Sequence, residues 1–409
     1  MISRFSCALL LAVAAAVPVT AFAGEAPATG TSSEKQDFSH SRDIRAIIDA
    51  EYLFEFLTKP RFVAPDDFEQ EFMAAFRAQA THEEMMRRLA PAFGKEIGPL
   101  LAAQLERQMN NPVYRKRAAR GLNQVGNMDL GGTTAFFTDQ ELKTLRSIDA
   151  HAAMVQYRAL QPKLQAVVRE AVGIWSNDYA AQLNGKAADA IEQIEKNLVA
   201  AREANDGRTI KIPRIGFAPW DQIIDAYGQC SIKFANAFAQ QDAAMLKLNY
   251  GEFLRPTYLI DRQHVEQAPA VIDQAEAILE STVTQLDAAV KERELAIGKS
   301  SMVKSPRLRK QYEHGIASLY AYVGDYSEAV RLQLAQHRQA VAFMQSQNGN
   351  FTVHDGKVAL PTEEARLQAV QIFEKLDEAR QRLLKLNADR ISQDDNALNK
   401  LRSLSKPRG

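Results

Sequence analysis

The chain has few of the residues that build covalent crosslinks and metal sites. It contains two cysteines, Cys7 and Cys230, and seven histidines, no two of which lie within five positions of each other. The spacings Cys-x-x-Cys and His-Glu-x-x-His, which are typical of zinc sites, are therefore absent. We predict no catalytic, cofactor-binding or metal-ligating residues and no cofactor. Each histidine is interpreted as an ordinary surface or boundary residue.

Sequence signatures of nucleophilic and phosphate chemistry are also absent. Neither Gly-x-Ser-x-Gly nor Gly-x-Gly-x-x-Gly occurs. The tripeptide Gly298-Lys299-Ser300 matches the end of a phosphate-binding loop, but Arg293 stands where that loop needs its first glycine. A non-enzymatic protein is therefore favoured, with an enzyme whose site is gathered from distant residues kept as an alternative.

The chain lacks an excess of charge of either sign. Lys plus Arg and Asp plus Glu each number 50. Without a net positive field, binding to nucleic acid or to an anionic membrane surface is not expected. After the first 23 residues no apolar run approaches the length of a transmembrane helix, so no transmembrane segment is predicted there.

The first 23 residues have the layout of a secretory signal peptide. Arg4 gives a positively charged start, an apolar stretch follows from Phe5 to Val19, and small residues flank Phe22 before Gly24. A membrane anchor is the alternative, but a span needs about 20 apolar residues and this stretch is shorter. We expect cleavage after Ala23 and export to the periplasm or the medium. Cys7 lies too early in the chain for lipidation.

Cleavage would leave Cys230 as the single cysteine, so no internal disulfide is expected. Its neighbours from Ile224 to Ile232 are largely apolar, which favours a buried thiol. An intermolecular disulfide is the alternative.

Helical periodicity dominates the remaining sequence and predicts an all-α fold of helical bundles with long amphipathic helices. Phe351 to Leu360 contains two β-prone runs around Asp355-Gly356, which predicts one small β-hairpin. Thr138 with Glu141 forms a capping box, and Thr362 or Pro361 begins a last helix. The predicted organisation is as follows: signal peptide 1–23, disordered leader 24–38, N-terminal helical domain 39–205, linker 206–220, C-terminal helical domain 221–391 and disordered tail 392–409.

Two stretches resemble uncharacterised exported families. Phe136 to Leu145 is similar to the Phe-Thr-x-x-Glu-Leu-x-x-Leu motif of a small helical periplasmic domain of unknown function, a resemblance that would cover residues 40–170. Phe351 to Thr362 resembles the run before the last helix of a helical exported lipoprotein family, which would cover residues 310–390. Both resemblances imply an exported helical protein, and neither implies catalytic or binding residues.

Aromatic residues are the remaining candidates for binding: Tyr320, Tyr322, Tyr326 and Trp220. The segment around Gly324-Asp325-Tyr326 resembles the turn of a tetratricopeptide repeat, but one copy is present and such repeats need at least three, so packing within a helical hairpin is favoured. The leading hypothesis is a non-enzymatic envelope protein that binds a protein partner through helical surfaces. The alternative is a carrier of a small apolar ligand or lipid in an inter-helix cavity. The oligomeric state is left open.

Overall fold

The computed structural model describes residues 41–58, 66–124, 136–204, 210–347, 349–354 and 357–406. The predicted signal peptide (1–23) and leader (24–38) lie outside the described residues, as do most of the glycine-rich segment 121–132 and the pair Asp355-Gly356. The described chain is helical apart from one hairpin, so the predicted all-α class is confirmed. Two compact units are present, and the division between them falls at Gln182, inside a long helix.

The N-terminal unit, described from residue 41 to 181, is built mainly from short helices. These are α1 (Ser41–Ala50), α2 (Leu53–Thr58), α3 (Asp67–Gln79), α4 (His82–Ile97), α5 (Pro99–Met109), α6 (Pro112–Gln124), α7 (Asp139–Ala150) and the first part of α8 (Ala152–Ala204). Buried side chains of α1, α4, α5 and α8 form its core, including Ile44, Ile47, Met86, Leu105 and Met154.

The C-terminal unit, described from residue 182 to 406, contains the rest of α8 and several much longer helices. Its elements are α9 (Ala218–Lys247), α10 (Tyr250–Phe253), α11 (Arg262–Ile297), α12 (Ser301–Lys304), α13 (Pro306–Ser346), β1 (Thr352–His354), β2 (Lys357–Ala359) and α14 (Glu363–Leu404). Helix α11 packs against both α9 and α13, and α13 packs against α14. Strands β1 and β2 are antiparallel with Val353 opposite Val358, which confirms the predicted hairpin.

Local sequence signals account for several helix ends. The Thr138 hydroxyl accepts from the backbone of Glu141, whose carboxylate accepts from the backbone of Thr138, so the predicted capping box forms. Thr362 caps α14 through the backbone N–H of Ala365. Pro99 begins α5 directly after Gly98, whose φ of 70° suits glycine. Helices α1 and α2 are separated at Tyr52, where φ is 54°.

The predicted boundary at 206–220 differs from the observed division. Its described part, residues 210–220, belongs to the C-terminal unit. Ile212 lies directly over Gly228 on α9, and the Asp221 carboxylate accepts from the backbone N–H of Ile215 at 2.7 Å. The segment is therefore fastened to α9, and its last residues form the first turn of that helix.

The described part of the predicted disordered tail (392–409), residues 392–406, is mostly helical, which corrects that prediction there. Helix α14 continues to Leu404, because Asp394, Ala397 and Leu401 extend its buried stripe. Arg402 forms an ion pair with Glu192 on α8, which fastens the end of the helix. Within the described ranges, none of the helices combines the length and apolarity needed to cross a bilayer.

Candidate functional site

The structure separates the four aromatic residues proposed from the sequence. Trp220 is buried in the first turn of α9. Tyr322 and Tyr326 are buried on one face of α13, and their hydroxyls donate to Asn387 at 3.2 Å and to Gln241 at 2.9 Å. These three side chains are packing residues. Tyr320 is half-buried, and its side chain lines a groove that the other three do not line.

Tyr320 lines an open groove of about 510 Å³ between α11 and α13. Val283 and Asp287 form the α11 side of this groove, which we call the α11/α13 groove. The α13 side is formed by residues that recur at helical spacing: Tyr320, Val323, Gly324, Ser327, Glu328 and Arg331. A small glycine therefore lies on the groove floor and charged residues lie along its length.

Carboxylates set the electrostatics at the Tyr320 end of the groove. The Tyr320 hydroxyl donates to the Glu294 carboxylate at 2.9 Å. Burial, this hydrogen bond and the charge of Asp287 raise the pKa of Tyr320 to about 12, so the phenol stays protonated at neutral pH. Glu328 is bridged at 3.0 Å to Arg382 on α14. Arg331 is exposed, and it adds a cation to a rim that is otherwise acidic.

Gly324 is an unusual residue for an exposed position in the middle of a helix. Glycine costs about 1 kcal/mol relative to alanine in a helix interior. Among the described residues, nothing but the helix's own backbone and chain neighbours lies within 4 Å of where a Cβ at this position would be. Packing within this unit therefore does not require the missing side chain, and the open space faces the groove.

His337 corrects the interpretation of every histidine as a surface or boundary residue. It is fully buried on α13, with Nε2 2.7 Å from the Phe253 carbonyl and Nδ1 3.1 Å from the Tyr250 hydroxyl. Burial lowers the pKa of His337. Its two ring nitrogens are occupied by structural partners, so it ties α13 to the first and last residues of α10.

The N-terminal unit contains a partly buried carboxylate that sequence analysis did not find. Glu51 follows α1 directly, and the Tyr114 hydroxyl on α6 donates to it at 2.5 Å. Burial raises the pKa of Glu51, and the nearby Arg117 partly opposes this shift. The Tyr157 hydroxyl on α8 also acts to lower the pKa of Glu51. No local motif marks Glu51, because its environment comes from three helices distant in sequence.

A second feature of the N-terminal unit is a basic and aromatic surface on α6. Lys116 Nζ lies 4.9 Å from the ring centroid of Phe136, and the Arg120 guanidinium lies 4.7 Å from it. Phe136 is 47% exposed. The net charge of the whole chain is zero and does not indicate this surface. The local run Arg115-Lys116-Arg117 is the sequence feature that could have predicted it.

No protein-family model matches the chain, and comparisons with curated proteins and with solved structures gave no significant match.

The described residues offer few groups for covalent or metal chemistry. In the parts of the chain that the structure covers, no three His, Cys, Asp or Glu side chains are grouped as metal ligands would be. Cys230 is buried, as its apolar neighbourhood predicts. Among the described residues the α11/α13 groove is an open, accessible space, and its polar rim and glycine floor suit non-covalent binding.

Proposed function

We propose that the protein is an exported, non-enzymatic protein of the cell envelope that binds a helical segment of a partner protein in the α11/α13 groove. The observation that carries the proposal is the exposed Gly324 on the groove floor. A residue that lowers helix stability and is not needed for internal packing is explained if a partner approaches the backbone there.

The chemistry of the groove supports a peptide or helix as the occupant. Val283 supplies apolar contact, while Asp287, Glu328 and Arg331 supply charged groups. An apolar centre with a polar rim is the usual anatomy of a protein–protein interface. A helix laid between two helices places its side chains at matching spacing along the groove.

Export is supported by the sequence of the first 23 residues, with processing after Ala23 as the proposed step. The carrier of a small apolar ligand or lipid stays the alternative. The groove favours a peptide over a lipid because it is open and because Asp287, Glu328 and Arg331 line it.

Site-specific photo-crosslinking in cells tests the proposal. A benzoylphenylalanine placed at Arg331, on the groove, should crosslink one defined partner. The same group at Asp325, which is exposed on α13 but does not line the groove, should not. Gly324→Leu, which fills the floor, should abolish the crosslink, whereas Gly324→Ala should preserve more of it.

Native mass spectrometry of the purified protein distinguishes the two functions. Partner binding is supported by two results together. The native mass equals that of residues 24–409 with no bound small molecule, and Gly324→Leu removes the crosslink. A co-purified small apolar molecule would favour the carrier instead. Equal crosslinking from positions 331 and 325 would remove the α11/α13 groove as the binding site.

A further inference from the structure

Helix α6 carries four cations in its central six residues, 115–120. It contains Arg115, Lys116, Arg117 and Arg120, and its 13 residues include no Asp or Glu. Two of these cations are paired with other helices: Lys116 with Glu141 at 2.9 Å and Arg117 with Asp149 at 2.7 Å. Helix α6 therefore concentrates positive charge in a chain whose total charge is zero.

The neighbouring carboxylates pair with some of these cations and leave Arg115 without an ion pair among the described residues. Asp149 faces Arg158 of α8 at 3.6 Å as well as Arg117, so one carboxylate serves two cations. Arg115 is exposed and donates to the neutral side chain of Asn110 at 2.6 Å. Glu51 also lies near Arg117, so the charge that the described carboxylates leave for a ligand is that of the exposed Arg115.

An exposed aromatic ring lies within this basic surface. Phe136 packs edge-on against the buried Phe137, with ring centroids 5.2 Å apart. Lys116 contacts both rings, at 4.9 and 5.2 Å from their centroids. The capping box at Thr138 fixes the chain directly after the two rings, so Phe136 is held in place rather than left on a free loop.

We propose that this surface, formed by α6 and Phe136, binds an acidic segment of a partner protein. It belongs to the N-terminal unit and is a second interaction surface, additional to the α11/α13 groove. Guanidinium groups pair well with carboxylates, and an aromatic ring beside them gives the partner's side-chain carbons apolar contact.

An acidic peptide fits the surface better than a membrane does. Stable attachment to a bilayer needs several apolar anchors or a lipid in addition to basic residues. Phe136 is the one exposed large apolar side chain among the described residues of this cluster. Two cations of α6 already form ion pairs with carboxylates within the fold: Lys116 with Glu141 and Arg117 with Asp149.

Binding of a fluorescein-labelled hexaglutamate peptide to the full chain tests the proposal, with fluorescence anisotropy as the readout at low salt. Arg115→Gln and Phe136→Ala should each weaken binding by about fivefold, and added salt should weaken it further. Arg169→Gln is the matched control because Arg169 is an exposed cation on α8 in the same unit. It should leave binding unchanged.

Three results would overturn the proposal: no peptide binding at low salt, equal losses from Arg115→Gln and Arg169→Gln, or binding to phosphatidylglycerol vesicles without binding to the peptide. Circular dichroism of each variant confirms that the helices are retained. Since Arg115 is exposed and its guanidinium donates to the side chain of Asn110 at the surface, Arg115→Gln is expected to fold.

Discussion

Tyr114 and Glu51, 63 positions apart in the chain, are joined by a hydrogen bond of 2.5 Å that ties α6 to the end of α1. The tyrosine hydroxyl donates and the carboxylate accepts. Tyr52, the next residue, has a φ of 54°, which is strained for a side chain of its size. The junction between α1 and α2 therefore combines a partly buried carboxylate with an unfavourable backbone conformation.

The raised pKa of Glu51 makes the N-terminal unit sensitive to pH. A carboxyl whose pKa is raised in the folded state binds its proton more tightly there than in the unfolded chain. The associated stability is fully present below the unfolded value of 4.5 and is lost as the pH rises through the folded pKa. Glu51→Gln should therefore raise the free energy of unfolding at neutral pH, and this gain should vanish as the pH falls towards 4.5.

The fluorescence of Trp175 measures this effect. The chain has two tryptophans, Trp175 in the N-terminal unit and Trp220 in the C-terminal unit, so each unit carries its own probe. Urea unfolding in a Trp220→Phe background reports the N-terminal unit. Glu55→Gln on α2 is the control because Glu55 is exposed. A gain at neutral pH that persists unchanged at pH 4.5 would contradict the assignment to Glu51.

His337 should give the C-terminal unit the opposite pH response. Its pKa is lowered by burial, so the unfolded chain binds the proton more tightly than the folded chain does. Stability is therefore greatest above the unfolded value of 6.5 and falls as the pH decreases from there towards the folded pKa. The Phe253 carbonyl needs a donor, so His337→Phe should cost about 1–3 kcal/mol at pH 8.

This cost should shrink as the pH falls below 6.5, because the variant has no proton to gain at that position. Urea unfolding followed by Trp220 in a Trp175→Phe background gives the measurement. His314→Gln, on an exposed part of α13, should leave the pH profile unchanged. A constant difference between pH 8 and pH 5 would show that His337 does not control the response.

Two helical glycines of the C-terminal unit should respond in opposite directions to the same substitution. Gly324→Ala meets open space and should stabilise the unit by about 1 kcal/mol. At Gly228 a Cβ would lie 2.8 Å from Ile212 and 3.3 Å from Ile194. Overpacking of this kind costs roughly 1–3 kcal/mol and helix propensity offsets about 1, so Gly228→Ala should be destabilising by about 1 kcal/mol.

Thermal unfolding of the two variants against the parent chain is the measurement. Equal shifts of the same sign would mean that helix propensity alone decides both outcomes and that Ile212 is not fixed over Gly228. Ile212→Ala combined with Gly228→Ala should recover part of the loss, because the shorter side chain makes room for the new methyl group.

Local features of the fold were predictable and tertiary ones were not. The caps at Thr138 and Thr362 and the hairpin near Asp355-Gly356 follow from neighbouring residues, and the structure confirms both caps and the hairpin strands. The burial of His337 depends on Tyr250 and Phe253, which are more than 80 positions away in the chain, so no local spacing predicts it. Residues 392–396 are all polar, so the sequence did not indicate that α14 continues through them with a buried face.

The candidate site was predicted in part. Tyr320 was among the four aromatic candidates, and it lines the α11/α13 groove. Tyr322, two positions later on the helix, points to a different face and packs against Asn387 on α14. Aromatic content alone could not separate the two, because the choice of face depends on which helices lie beside α13. The cations of α6 were missed because charge was summed over the whole chain.

The ion pair between Arg390 and Asp394 should matter more than the surface pairs. Both side chains are more than nine-tenths buried, and Nη2 lies 2.9 Å from Oδ1. This distance makes an ion pair, although the angles between the two groups fall outside those of a hydrogen bond. The Arg390 guanidinium also lies 5.7 Å from the ring centroid of Tyr322.

Asp394→Asn should therefore cost about 3–5 kcal/mol, because it leaves a buried guanidinium without its charge partner. The double change Arg390→Met with Asp394→Leu should cost much less than the single one, since it removes both buried charges together. Arg382→Met, at the exposed pair with Glu328, should change stability by less than about 1 kcal/mol. A double variant as unstable as Asp394→Asn would show that contacts other than the charge pair hold this end of α14.

The last helical turns of α14 should contribute to stability, although their sequence reads as a disordered tail. Leu401 is fully buried, and truncating a buried leucine to alanine typically costs 2–5 kcal/mol. Leu384, on the same helix, is 46% exposed, so Leu384→Ala is the matched control and should cost less than about 1 kcal/mol. Urea unfolding followed by Trp220 compares the two variants. If both cost equally little, residues beyond 391 do not pack on the C-terminal unit in solution, and the original expectation of a free tail would be restored.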